Sequence, residues 1–317
     1  MGLAGDREEV SATATHPGGS GREGQTFAGE GRIARWMSFV KLPHTVFALP
    51  FALVGVTIAS LEWEITWAML GWVVLAFTAA RWVAMAVNRI VDREFDARNP
   101  RTQQREIPRG AINVRDAWIT VVIAAALFVW AAAQLNPLCL YLSPVALLWV
   151  CFYSFTKRFT RYAHLVLGLG LAIAPVGGYL AVTGAWSQPW WMLIAITVGV
   201  MTWSGGFDVL YALPDIEFDR SQGLHSIPAA VGVPRAIGIA RALHVVTVLA
   251  LGTTVWASGL GWLAWAGVSA VGILLAYEHS LVHRDDLSKL DAAFFTMNGV
   301  ISMTFLAFVV ADRLLLA

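Results

Sequence analysis

The sequence predicts an all-α, polytopic membrane protein with nine transmembrane helices. Composition, apolar run length and charge placement carry that prediction. Of 317 residues, 57% are apolar and 14% charged, against roughly 45–50% and ~25% in a soluble domain. The apolar residues gather in nine stretches, near 43–60, 66–87, 116–134, 138–153, 162–183, 189–211, 236–256, 260–282 and 291–310. A spanning helix needs ~20 mostly apolar residues. The stretches lack period-two alternation and are too long for barrel strands. Of the 22 Lys and Arg residues, 20 fall on one side of this nine-span topology. The exceptions are Arg81, inside a helix, and Arg313, near the C-terminus. The opposite connections, near Leu61–Ile65, Asn136, Trp186–Gln188 and Gly259, carry no Lys or Arg. The positive-inside rule then places the N-terminus and the basic loops in the cytoplasm, as in a bacterial-type inner membrane. The same composition excludes a disordered protein, a basic nucleic-acid binder and a disulfide-stapled module.

The elements follow in order. Residues 1–30 are rich in Gly, Ser, Thr and charge and contain no apolar signal core, so they read as a disordered tail. Residues 31–317 form the transmembrane domain. Pro50 and Pro175 read as kink and packing devices in the first and fifth runs. Arg81 sits in the second run, where an intramembrane Arg should face an internal polar cavity rather than lipid; snorkelling to the interface is the alternative. Cys139 and Cys151 lie in apolar surroundings and read as packed thiols. Gly168 and Gly170 make no dinucleotide fingerprint, because their run is a membrane helix. Trp186, Trp190, Trp191, Trp256, Trp262 and Trp265 read as an interfacial belt on the side away from the basic loops. His44 and His164 read as packed or interfacial, and His225 as structural at least as readily as functional.

Two loops on the basic side are long, at about 88–115 and 212–235. The first contains DREFDARNPRTQQREIPRG and the second DIEFDRSQGLHSIPAAVG. Each runs Asp, Glu-Phe-Asp, a basic residue, then Ile-Pro and Gly, a weak internal repeat. Asn88, Asp92 and Asp96 are spaced i, i+4, i+8, within about 80° of one another on a helix. Asp208, Tyr211, Asp215 and Asp219 make a second stripe, with Glu217 opposite and Pro214 interrupting the helix. Clustered carboxylates tolerate one another when they bind a hard cation. Mg²⁺ takes one or two carboxylates together with substrate phosphate oxygens, and Arg and Lys would hold the rest of the phosphate. The pattern describes a Mg²⁺–diphosphate site at the membrane surface, for a molecule whose other end is apolar; a polyprenyl diphosphate has that shape.

Three motifs carry a more specific likeness. N-x-x-x-D-x-x-x-D at Asn88, Asp92 and Asp96 is followed by Arg101–Thr102 and by R-x-x-P-x-G at Arg105–Gly110. D-x-x-Y-A-x-x-D-x-x-x-D spans Asp208–Asp219, and Y-x-x-x-K-R-x-T spans Tyr153–Thr160. In that order they resemble the intramembrane aromatic prenyltransferases of the UbiA superfamily, and the third resembles a signature of the 4-hydroxybenzoate polyprenyltransferases. The resemblance covers about Arg35 to Leu315. It implies nine helices around a central, lipid-accessible cavity capped by two Asp-rich cytoplasmic loops. It also implies metal ligands at Asn88, Asp92, Asp96, Asp215 and Asp219, and diphosphate contacts at Arg101, Arg105, Lys157 and Arg158. Arg81 would meet the substrate carboxylate or diphosphate. Asp208 would orient or deprotonate the acceptor, and Tyr153 joins them in the catalytic group.

One departure bears on the acceptor. Many members read Asn-Asp where this chain reads Asn88-Arg89. With GLHSIPA at Gly223–Ala229 and AFFTMNG at Ala293–Gly299, this resembles a subgroup that includes prenyltransferases acting on 1,4-dihydroxy-6-naphthoate in a menaquinone route. The reading is therefore Mg²⁺-dependent transfer of a polyprenyl group to a 4-hydroxybenzoate-type ring in quinone (ubiquinone) biosynthesis, with the naphthoate as alternative. A transporter is the rival of another class, but its acids should lie near the bilayer midplane. The D-x-x-D-G-x-x-A-R phrase of the CDP-alcohol phosphatidyltransferases is absent. Haem-farnesylating and chlorophyll-phytylating branches remain open. The expected partners are polyprenyl diphosphate, an aromatic acid and the lipid bilayer, with no nucleic acid.

Overall fold

A computed structural model describes residues 31–41, 45–282 and 290–316. The tail expected over 1–30 lies outside them, as does His44. The described residues are helical with no strand. The helices are α1 (Arg32–Phe39), α2 (Thr45–Ala59), α3 (Trp67–Val91), α4 (Arg93–Arg98), α5 (Val114–Leu135), α6 (Pro137–Phe152) and α7 (Ala163–Thr183). They continue as α8 (Trp191–Tyr211), α9 (Ile216–Ser221), α10 (Ile227–Val231), α11 (Val233–Ser258), α12 (Trp262–Leu281) and α13 (Leu290–Leu315). Short 3₁₀ turns follow α6 and α8, at Tyr153–Arg158 and Leu213–Asp215.

Local sequence sets several boundaries. Thr66 accepts from Met69 N–H at the start of α3, at 3.2 Å. Asn136 accepts from Cys139 N–H at 2.9 Å, and Pro137 occupies the first turn of α6, where no N–H is needed. The Asn136 amide also donates to Leu180 O at 2.8 Å, tying the α5–α6 turn to the end of α7. Gly184, at φ +62°, ends α7 in the left-handed region that favours glycine.

α8 packs between α7 and α11, and α7 against α2. Two glycines permit the α2–α7 contact. A Cβ on Gly178 would lie 2.1 Å from Ala52 O, and one on Gly55 would lie 2.0 Å from Pro175 O. Small residues allow such backbone approach where lipid offers no hydrophobic drive between helices. Phe51, Trp203 and Phe305 form the buried centre beside them, with Phe51 and Trp203 ring centroids 4.8 Å apart. The outer surface is apolar, from Trp67 and Tyr141 to Leu148 and Ile273, all more than two-thirds exposed. That inversion marks a membrane protein.

Seven helices among the described residues are long and apolar enough to cross a membrane: α3, α5, α6 with its 3₁₀ extension, α7, α8, α11 and residues Met297–Leu315 of α13. The expected nine is not reached by that measure. The apolar helix within α2 runs only from Ala48 to Ala59. α12 ends in Tyr277, Glu278, His279 and Ser280, which lower its hydropathy.

The two cysteines are free thiols, half-buried. Trp186, Trp190, Trp256, Trp262 and Trp265 are exposed at the end opposite α4 and α9. At that end Asp312 accepts N–H bonds from Gly261 (2.7 Å) and Ala264 (3.0 Å), capping α12. Next to it, the Arg313 guanidinium donates to Ser60 O at 2.9 Å, just beyond α2.

Candidate active site

The two acid-bearing segments fold alike. α3 stops at Val91, Asp92 makes a bend, and six-residue α4 follows. α8 stops at Tyr211, a 3₁₀ turn ends on Asp215, and six-residue α9 follows. The interruption foreseen at Pro214 is there. The helical path keeps the acids of each segment on one side. Asp92, Asp96, Asp208, Tyr211, Asp215 and Asp219 all line one cavity of about 250 Å³, while Glu217 is exposed. Arg81, Asn88, Arg105, Tyr153, Lys157 and Arg158 line it too. Thus every candidate residue borders the chamber except Arg101, which reaches Asp215 from the side.

The segments meet directly. Asn99 donates its amide to Asp215 Oδ1 at 3.1 Å. Arg101 donates from Nε to the same oxygen at 3.1 Å and from Nη2 to Asp215 Oδ2. Its guanidinium also lies over the Tyr211 ring, 4.6 Å from the centroid. A backbone bond from His225 N–H to Lys157 O, 2.7 Å, joins the second loop to the 3₁₀ turn after α6. The His225 side chain is exposed.

Within the first segment, Asn88 donates to Asp92 Oδ2 at 2.9 Å, and Arg158 lies 3.7 Å from Asp92 Oδ1. Arg105 pairs with Asp96 Oδ1 at 2.6 Å, and Thr102 donates to Asp96 O at 3.1 Å. Burial, reinforced by the charge of Asp96, pushes the Asp92 carboxyl up to about 6, against the pull of Lys157, Arg158 and Arg105. Burial also raises Asp219, with Asp215 adding to it and Lys157 opposing. The second oxygens of Asp96 and Asp219 are buried without a hydrogen-bond partner. Among the described residues no three acids or imidazoles yet converge closely enough to enclose a bare ion.

Some lining residues escaped the sequence reading. Lys41, Arg89 and Asn99 all border the chamber. Arg89 was singled out only as a departure from a motif. Asn99 follows α4 by one residue and carries no catalytic signal in isolation. The clearest omission is His164. Its Nδ1 lies 2.6 Å from Asp208 Oδ2, and the residue is wholly buried.

Fold and site together define an integral membrane protein with an acid-and-base chamber at one end of a helical bundle. Residues 48–300 match the model of the UbiA prenyltransferase family, and the chain belongs to that family. It is an enzyme of the prenyltransferase class. A 4-hydroxybenzoate octaprenyltransferase of Citrobacter koseri is 28% identical over 240 residues, covering 74% of this chain and 81% of that protein. One from Cronobacter sakazakii is 27% identical over 239 residues, with the same coverage. Among solved structures, the apo form of a UbiA homologue from Aeropyrum pernix K1 superposes with a TM-score of 0.77 at 31% identity, covering 85% of this chain and 98% of that one. A UbiA homologue from Archaeoglobus fulgidus bound to DMAPP and Mg²⁺ shares the fold, with a TM-score of 0.64 at 18% identity, covering 89% and 99%.

Proposed function

We propose that the chain transfers a polyprenyl group from its diphosphate to a ring carbon of a hydroxybenzoate-type acceptor, with Mg²⁺, in quinone biosynthesis. One observation carries the reading: Asn99 and Arg101 of the first acid segment grip Asp215 of the second, over a chamber that Met85, Leu167, Leu171 and Phe207 also line. Six basic and five acidic side chains line that chamber. Their fixed charges nearly cancel, so the negative charges of a diphosphate call for a further cation. The donor set suits Mg²⁺, because carboxylate oxygens dominate it and those left unpartnered on Asp96 and Asp219 come from the two separate segments. Asn88, Asp92, Asp96, Asp215 and Asp219 would hold the ion. When bound, it would supply a concentrated positive charge beside the diphosphate oxygens.

The chain's residues account for the remaining chemistry. Arg101, Arg105, Lys157 and Arg158 take the diphosphate as the bond between prenyl C1 and oxygen breaks and the electron pair leaves with the phosphate. Arg81 and Tyr153, on the bundle side of the acids, orient the acceptor. The allylic cation stays out of water among apolar walls and aromatic faces. A ring π pair forms the new carbon–carbon bond. The ring C–H pair then restores aromaticity, and Asp208 takes the proton. Acids gathered at one end of the bundle, away from its middle, favour this reading over a transporter. The basic-side loops would face the cytoplasm of a bacterial-type inner membrane.

Arg89 supports a second acceptor, 1,4-dihydroxy-6-naphthoate, because the base that replaces the usual acid borders the chamber. The experiment is an incubation of purified protein in vesicles with Mg²⁺, a labelled polyprenyl diphosphate and each acceptor in turn. Prenylated benzoate is the expected product; naphthoate product alone moves the assignment to the second acceptor. Incorporation into neither overturns both. Asp92→Ala and Asp215→Ala should abolish turnover in folded protein.

A further inference from the structure

His164 lies in the first turn of α7, wholly buried. Gly205, one turn before Asp208 on α8, permits the close approach there. A Cβ at that position would fall 2.8 Å from the Leu165 side chain and 3.5 Å from His164 O. The imidazole makes two bonds. Ile227 N–H, at the start of α10, donates to Nε2 at 3.3 Å, and Nδ1 lies 2.6 Å from Asp208 Oδ2. A backbone N–H can only donate, so Nε2 presents its lone pair. The ring proton is therefore on Nδ1, which donates to the carboxylate. The tautomer is set by α10, and the carboxylate by the tautomer. No protein donor among the described residues meets Asp208 Oδ1, and Asp208 borders the chamber.

We propose that His164 is a positioning residue for the transfer reaction. It holds one oxygen of Asp208 so that the other faces the acceptor ring and takes its proton. In that step the ring C–H bond breaks, its electron pair returns to the ring, and the proton passes to Asp208 Oδ1. The Ile227 bond makes the arrangement depend on the seating of α10, which Ser226 caps by accepting from Ala229 N–H at 3.2 Å. This rests on the role given to Asp208 above.

Two substitutions separate the two bonds. His164→Asn puts an amide nitrogen near the position of Nδ1 and keeps the donor to Asp208. His164→Gln reaches the position of Nε2 and keeps only the contact with α10. In purified protein with Mg²⁺, prenyl diphosphate and aromatic acceptor, His164→Asn should retain kcat within a few-fold. His164→Gln should lose about 100-fold in kcat, the scale of a lost general base. KM for the prenyl diphosphate should not change. An isotope effect should emerge with ring-deuterated acceptor, because proton removal has become slow. On an Asp208→Asn background, His164→Gln should add no further loss. His164→Ala serves the same comparison where the glutamine variant folds poorly. Undiminished kcat in His164→Gln overturns the proposal. So does equal loss in both variants, or a loss confined to KM for the diphosphate. Full activity in Asp208→Asn alone overturns instead the role of Asp208 in the reaction.

Discussion

Arg101 in the first acid segment forms a two-point ion pair with Asp215 in the second, 114 residues downstream. Both Asp215 oxygens are engaged, one of them also by Asn99. A carboxylate so occupied is a poor ligand for a bare cation. It becomes a good one once the guanidinium has phosphate oxygens to turn to. Arg105 holds Asp96 at one oxygen only, leaving its second oxygen open to a cation.

The first prediction is synergy. Mg²⁺ titrated calorimetrically into purified protein should bind weakly, and an unreactive prenyl diphosphate analogue without metal should also bind weakly. Each should tighten the other at least tenfold, the scale of ordinary coupling between linked sites, about 1–3 kcal/mol. In Arg101→Ala the coupling should shrink. Independent binding of the two would contradict the hand-over.

Asp92 offers a test that separates stability from turnover. Its folded-state carboxyl, at about 6 against an ordinary 3.8, makes ionisation oppose folding. That opposition is absent below about pH 4, grows as pH rises toward 6, and is complete above it. Without Mg²⁺, Asp92→Asn should therefore melt higher than the parent at pH 7.5. The gain should be roughly 1–2 kcal/mol, after discounting for a side chain 27% exposed. The difference should shrink as the pH approaches 4, while turnover is lost throughout. A lower melting temperature for the variant at pH 7.5 would refute the account.

The α2–α7 contact has no room for a side chain at Gly178. Gly178→Leu should separate the helices and cost about 1–3 kcal/mol or more. Size-exclusion profiles in detergent should show loss of the monodisperse species.

Asp312 acts far from the chamber. Asp312→Ala leaves the N–H groups of Gly261 and Ala264 without their acceptor and should cost about 1–2 kcal/mol. Thermal melting should fall by several degrees, with kcat at low temperature unchanged.

Much of the site was legible because its acids repeat at helical spacing. Asp92, Asp96, Asp215 and Asp219 could be placed on stripes by arithmetic, and their stripes do face one cavity. Arg81 was legible for another reason, since a lone intramembrane charge has few tolerable surroundings. His164 was not. Its meaning comes from Asp208, 44 residues away on another helix, and no spacing rule links them. Asn99 was missed likewise, because its partner Asp215 lies 116 residues on. Seven of the described helices meet a length-and-hydropathy measure for spanning; α2 falls short of it because its apolar stretch runs only from Ala48 to Ala59, and α12 because it closes on Glu278 and His279.

Among the described residues, Arg313 is the one basic residue at the end of the bundle opposite the acid segments, and its guanidinium is engaged by Ser60. Glu62 and Glu64 lie in the neighbouring turn before α3. Seen from the bilayer, the molecule is an electrical dipole, its basic pole on the side of the chamber. A compartment held at negative potential would pull that pole toward itself, so the voltage across a living membrane would oppose any flip of the protein.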